Sequence, residues 1–374
     1  MKIDQVEVFV ADLPTKGGRY RRPHGGYADE YYTTYIVKVH TDDGISGHGE
    51  ICTMGSEALC GFTEGALAGI PVLARHLLGE NPLHVERLGR LMDTLFRGSA
   101  YLKTPIDVAL WDIRGKKFGV PVSDLLGGSY GRPVPLYRTV HAFEEHGDDA
   151  SSWRQRLKHY RSEGHKYFQL KTGVDTEADI AKIEALCDEL RPGEYCLADA
   201  NTQWTLSAAI RVASAVRHLP VILEQPCATM EECAEVRRHW PNQMALDELM
   251  ESTHDVMRGY RAGAMDIVKI KISRVGGLTK ALKMRDLCVD LGLAVVPEDM
   301  WGSEIATSAA LHLATSTDPK YLFCTTDSTE VVDLRTCTGF PDRVDGHLTA
   351  STDSGLGVYP IGDVLGNPVA VISN

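Results

Sequence analysis

The sequence lacks the features that would hold it against a membrane or a polyanion. It has no apolar run approaching the ~18 residues of a membrane span. It has no basic block to meet nucleic acid or an anionic bilayer, and its net charge of −12 is dispersed. The opening, Met1-Lys2-Ile3-Asp4-Gln5-Val6, carries an acid early and no long apolar stretch, so no signal peptide is expected. The nine cysteines are odd in number and include no Cys-x-x-Cys, which speaks for reduced thiols rather than a disulfide framework. The expectation is a cytoplasmic protein with neither nucleic acid nor membrane as partner. At 374 residues the chain has room for a barrel of ~250 residues and one smaller companion domain.

What is present is concentrated between Gly164 and Gly277. Five short apolar runs there each end in a residue able to bind metal or move a proton. They are Tyr167-Phe168-Gln169-Leu170-Lys171, Tyr195-Cys196-Leu197-Ala198-Asp199, Val221-Ile222-Leu223-Glu224, Met244-Ala245-Leu246-Asp247 and Ile267-Val268-Lys269-Ile270-Lys271. Successive polar ends are 28, 25, 23 and 24 residues apart, which is one strand, one helix and two loops per step. A closed barrel of parallel strands presents its active site at the carboxyl ends of those strands. The pattern predicts an α/β protein with a TIM-like barrel, three carboxylates and two flanking lysines at one mouth.

Elsewhere, residues 1 to about 50 alternate like antiparallel strands, in Val6–Val10, Tyr35–Val39 and, after the turn Thr41-Asp42-Asp43-Gly44, Ile45–Glu50. The glycine-rich stretch at 15–30 predicts a lid or binding loop, with a solvated surface loop as the plain alternative. Helical spacing runs from Glu57 to Phe118, closed by Gly119 and Pro121. Gly127-Gly128-Ser129-Tyr130-Gly131 matches a hydrolase nucleophile motif, but a helix precedes it and Arg132-Pro133 follows, so it reads as a linker. Val134–Val140 is then the first barrel strand. Leu293–Asp299 and Tyr321–Asp327 bring the strands to eight. Helices are expected over Asp179–Leu190, Leu206–Arg217, Met230–His239, Leu278–Leu291 and Ser303–Ala314.

Asp199, Glu224 and Asp247 offer three hard oxygen ligands with positions left open, which suits Mg²⁺, with Mn²⁺ as a substitute. Any one of them alone would read as a helix cap; three at strand spacing point to metal. Asn201, two residues past Asp199, faces the same way and can orient that ligand. Lys171 and Lys271 lie on the flanking strands. Burial and a nearby cation both push a lysine toward the range of a general base. A lone strand lysine is ordinarily a rim ion pair, but two placed symmetrically can remove a proton from one face of a substrate and deliver one to the other. A metal that stabilises the enediolate of a carboxylate, with a lysine base, is a minimal machine for abstracting an α-proton.

At these residues the chain resembles the enolase superfamily, in its muconate-lactonizing-enzyme subgroup. The resemblance runs through Ala109-Leu110-Trp111-Asp112-Ile113-Arg114-Gly115-Lys116, Leu125-Leu126-Gly127-Gly128, Asp199-Ala200-Asn201, Glu224-Gln225-Pro226, Asp247-Glu248 and Lys271-Ile272-Ser273-Arg274-Val275-Gly276-Gly277. It implies a modified TIM barrel, (β/α)₇β, under an α+β capping domain. The boundaries expected are 1–127 for the cap, 128–350 for the barrel and 351–374 for a segment returning to the cap. It also implies Mg²⁺ at Asp199, Glu224 and Asp247, Lys171 and Lys271 as the acid/base pair, and a homo-oligomer. Two departures bear on this. Many relatives carry Lys-x-Lys on the second strand, where this chain has Gln169; and Lys269 stands two residues before Lys271, which is expected to make the two lysines unequal as bases. A histidine on the seventh strand marks the mandelate-racemase branch; here that strand ends in Glu298-Asp299, which disfavours it.

The residues around the mouth are most similar to members acting on proline derivatives, the cis-3-hydroxy-L-proline dehydratases and the proline-betaine 2-epimerases. That likeness implies a small carboxylate substrate derived from proline. Asp327 is expected to hold its ammonium, and Trp301, Tyr27 and Glu298 to line its site, with packing or rim positions as the plain alternative. The reaction expected is dehydration to a pyrroline carboxylate. The alternatives are 2-epimerisation of proline betaine or another N-substituted amino acid and, further off, a muconate-type cycloisomerisation. A Schiff-base aldolase would use a barrel lysine without explaining three carboxylates. A non-catalytic metal-binding protein would have no use for both lysines.

Overall fold

The computed structural model describes residues 1–16, 19, 29–54, 61–140 and 150–373. The first three strands, β1 (Ile3–Pro14), β2 (Tyr31–Thr41) and β3 (Ser46–Cys52), form an antiparallel sheet. Three helices follow, α1 (Thr63–Arg75), α2 (Val85–Leu95) and α3 (Ala100–Phe118). α3 is buried on nearly every side, from Tyr101 to Ile113, because it lies between this sheet and the barrel. Gly47 and Gly49 of β3 permit that approach: a Cβ on either would overlap the carbonyl of Ala109 or Pro105 in α3.

The barrel is a curled parallel sheet of seven strands in sequence order: β4 (Tyr137–Val140), β5 (Tyr167–Lys171), β6 (Tyr195–Asp199), β7 (Val221–Glu224), β8 (Met244–Leu246), β9 (Ile267–Lys271) and β10 (Ala294–Glu298). Between them run α4 (Ala150–Ser162), α5 (Thr176–Cys187), α6 (Leu206–Val216), α7 (Met230–His239), α8 (Thr253–Ala262) and α9 (Leu278–Asp290), and α10 (Glu304–Thr315) follows β10. The last strand, β11 (Ala370–Ser373), pairs antiparallel with β1, which joins the end of the chain to the cap sheet.

Two expected strands are corrected. Val134–Val140 is broken: Val134–Pro135 pairs with His347–Leu348, and only Tyr137–Val140 joins the seven-stranded sheet. Tyr321–Asp327 is not a regular strand. It closes the barrel through single bridges, Val295 to Leu322 on one side and Leu136 to Thr325 on the other. The helices α4 and α8 were not among those expected. No described helix is long and apolar enough to cross a membrane, and the eight described cysteines are all free and buried.

Candidate active site

Strand alternation builds the interior in layers. Leu197, Ile222, Ala245, Ile267 and Val296 form an apolar layer with Tyr137 and Cys324. Two residues further along the same strands, and therefore on the same face, stand Asp199, Glu224, Asp247, Lys269 and Glu298. Lys171 and Lys271 end their strands at the mouth, with 24% and 11% of their side chains exposed, whereas Lys269 keeps 1% and lies below. An apolar floor keeps water out from beneath, so charges in the layer above act on one another through a low dielectric.

The geometry centres on Glu224. Its Oε1 accepts from Lys269 Nζ at 2.8 Å and from Gln169 Nε2 at 3.0 Å. Gln169 Nε2 also donates to Asp199 Oδ2 at 3.1 Å, while Gln169 Oε1 accepts from Thr139 at 2.8 Å. The neutral amide at position 169 thus bridges two carboxylates. On one flank Lys171 Nζ donates to Asp199 Oδ2 at 2.5 Å and to Asn201 Oδ1 at 3.2 Å. Asn201 binds Asp199 Oδ1 through its backbone N–H at 2.9 Å and Glu248 Oε1 through its amide at 2.9 Å. On the other flank Lys271 Nζ donates to Asp247 Oδ2 at 2.6 Å. Arg274 Nη1 holds the same residue, at 2.5 Å from Oδ1 and 2.9 Å from its carbonyl.

These contacts set the proton affinities. Burial and the neighbouring Asp199 charge push Glu224 up to about 8. Burial would also raise Asp247, but Arg274, Lys271 and Lys269 outweigh it and hold that carboxyl well below the usual range. Burial opposes the charge of Lys171, yet Asp199 and Glu224 outweigh it and raise its affinity for the proton. Three buried oxygen donors, one of them with its proton affinity raised by burial and by Asp199, are a set that a divalent cation satisfies. Among the described residues they are not gathered into a closed ligand cluster; Lys171, Lys269, Lys271 and Gln169 engage them instead.

The structure brings Lys171, Lys271, Asp199, Glu224, Asp247, Asn201, Gln169 and Lys269 into one connected network. Three residues expected at the substrate are engaged by protein partners. Glu298 is fully buried beneath the lysines, accepting from Tyr137 OH at 2.5 Å and facing Lys269 at 3.3 Å. Trp301 packs against Tyr32, ring centres 5.2 Å apart, in an apolar cluster with Leu13, Cys52 and Val332. Asp327 turns away because the chain leaves the strand path there. Its Oδ1 caps the 3₁₀ turn Ser328–Val331 through Thr329, and its Oδ2 meets Arg343 at 3.2 Å. Tyr27 and most of the 15–30 lid lie outside the described residues. Tyr137, Arg274 and Glu248 belong to the network without having been anticipated.

Residues 29–127 match the mandelate racemase/muconate lactonizing enzyme N-terminal domain, and residues 152–364 match the enolase C-terminal domain-like family. The chain belongs to the mandelate racemase/muconate lactonizing enzyme family. Within the family it is similar to the cis-3-hydroxy-L-proline dehydratase of Roseibium aggregatum, 41% identical over 99% of each chain. A solved mandelate racemase/muconate lactonizing enzyme from Roseovarius nubinhibens superimposes with a TM-score of 0.94 at 39% identity, covering 100% of this chain and 99% of that one. A second family structure from that organism, complexed with magnesium, gives a TM-score of 0.92 at 30% identity with both chains fully covered. The protein is accordingly an enzyme of this family, and its barrel and cap are the family's modified (β/α)₇β architecture.

Proposed function

We propose that this family member dehydrates cis-3-hydroxy-L-proline to a pyrroline-2-carboxylate with Mg²⁺ held by Asp199, Glu224 and Asp247. The observation that carries the reading is the placement of Lys171 and Lys271 on either flank of those carboxylates, each ion-paired and each reaching the mouth. The likeness to a dehydratase of that substrate along the whole chain supports it. In cis-3-hydroxy-L-proline the hydroxyl and carboxylate share one face of the ring, so the α-hydrogen lies on the face opposite the hydroxyl. The two departing groups therefore need partners on opposite sides. One lysine takes the α-proton, and the electron pair of that C–H bond becomes the C2–C3 double bond. The hydroxyl leaves with a proton from the other lysine, as water. The resulting enamine tautomerises to the imine by moving one proton. A bound Mg²⁺ would offset the negative charge that builds on the substrate carboxylate as the α-proton leaves. Glu298 and Asp299 are buried and engaged by Tyr137 and Ser273, which leaves the lysines as the acids facing the mouth.

The same lysine pair also fits a 2-epimerase, in which the second lysine returns a proton to the α-carbon. A β-hydroxyl on the substrate separates the two outcomes. Lys171→Met and Lys271→Met should each lower turnover by about 1000-fold, within the range for removing a general acid or base, while Mg²⁺ binding persists. Either variant keeping a tenth of wild-type turnover would exclude the two-lysine reading.

A further inference from the structure

Two barrel helices have no N-terminal cap of their own. α9 starts after Gly277 and α10 after Ser303, and neither residue's side chain binds the first amides of its helix. In both cases a buried carboxylate of the cap domain does so. Asp107 of α3 accepts from Thr279 N at 2.9 Å and from Thr279 Oγ1 at 2.6 Å. Trp111 Nε1 donates to that hydroxyl at 2.9 Å, so its own proton is directed at Asp107. Glu50 of β3 accepts from Ser303 N at 2.8 Å, Ala306 N at 2.9 Å, Ser303 Oγ at 2.8 Å and Thr34 Oγ1 at 2.8 Å. Glycine permits the approach at Gly277, where φ is +116° and a Cβ would overlap the Asp107 carboxylate.

The helices held in this way follow the strands that end in Lys271 and Glu298. One clamped segment carries Lys271 and Arg274, and the other carries Asp299 and Trp301. Thr104 of α3 adds a contact to the Ser273 carbonyl at 3.3 Å, and Asp299 joins the two segments by accepting from Ser273 N at 3.1 Å. A lysine that must meet a C–H bond tolerates little displacement; an error of about 1 Å can cost about 100-fold in rate. We propose that Asp107 and Glu50 are positioning residues, carboxylates through which the docked cap domain fixes the segments behind Lys271 and Trp301. The proposal rests on the assignment of Lys271 to proton transfer.

Asp107→Asn and Glu50→Gln keep size but turn one acceptor into a donor facing N–H and O–H groups. Amide hydrogen exchange on the protein without substrate reads the clamp directly. Exchange should quicken about tenfold over residues 271–281 in D107N and over 298–308 in E50Q, with 195–210 unchanged in both. With cis-3-hydroxy-L-proline, D107N should lower kcat about tenfold, keep KM within twofold and raise the α-deuterium isotope effect, because proton transfer has become the slow step. Thr279→Val removes one of the two Asp107 bonds and should shift the same quantities less, which covers failure of D107N to fold. Unchanged exchange at the clamped segments, faster exchange throughout the barrel, or a kcat and isotope effect equal to wild type would each overturn the proposal. Wild-type enzyme inert toward the substrate would count against the functional reading, while the exchange data would still judge the clamp.

Discussion

As a proposed metal ligand, Glu224 should couple pH to metal binding. Its carboxyl is raised from an ordinary 4.5 to about 8, by burial first and by Asp199 next. Below that value the group holds a proton that an incoming cation must displace. Each unit of pH below it costs about tenfold in apparent affinity, so Mg²⁺ should bind about 100-fold more weakly at pH 6 than at pH 9. Asp247 adds nothing in this range, because Arg274 and the lysines outweigh burial and keep it ionised. The stability of the metal-free protein follows the same group. A carboxyl raised in the folded state contributes most below its unfolded value of 4.5, and that contribution is lost as pH rises through about 8. Without metal the protein should therefore be less stable at pH 9 than at pH 6, and Mg²⁺ should close the gap. Calorimetric titration at pH 6, 7, 8 and 9, in buffers of different ionisation enthalpy, gives both affinity and protons released. The expectation is about one proton released at pH 7 and almost none at pH 9. An affinity constant within threefold across the series would refute the reasoning.

Three further outcomes follow from packing and pairing. Lys269→Met strands the buried Glu298 without its nearest cation and removes the Nζ–H that Glu224 Oε1 accepts, and should cost about 3–5 kcal/mol in urea unfolding; a loss under about 1 kcal/mol would contradict that role. Asp327→Ala removes a turn cap and one of the two carboxylates that pair with Arg343, so stability should fall by about 1 kcal/mol while KM stays within twofold; a tenfold rise in KM would return Asp327 to the substrate. Gly49→Ala drives a Cβ into the Pro105 carbonyl, a backbone atom that cannot swing aside, and should lower Tm by several degrees. An unchanged Tm would mean that β3 and α3 are not in fixed contact.

The barrel and the network at its mouth were legible because strand period and repeat spacing are local signals. Asp199, Glu224 and Asp247 end apolar runs at nearly constant intervals, and residues two apart on a strand must share a face. The same rule placed Lys269 and Gln169 near the carboxylates. It could not say that Gln169 would bridge Asp199 and Glu224, since that depends on the curl of the sheet. It failed at Asp327, where the eighth segment makes single bridges rather than a ladder and the last residue becomes a turn cap. Arg274 was missed because strand reasoning stops at Lys271. The chain there turns helical over Ile272–Val275, and a residue three positions on returns to the side of Lys271 and reaches Asp247. Asp107 and Glu50 were beyond sequence reasoning altogether, since their partners lie 172 and 253 residues away.

The measurement that bears most directly on the proposed reaction is proton NMR of the Mg²⁺-supplied enzyme with cis-3-hydroxy-L-proline in D₂O. The account predicts loss of the hydroxyproline signals and growth of pyrroline-2-carboxylate signals, with both processes abolished in K171M and K271M. Deuterium entering the α-carbon while the 3-hydroxyl stays in place would contradict dehydration and make the protein an epimerase or racemase. No change in the substrate would contradict the choice of substrate itself.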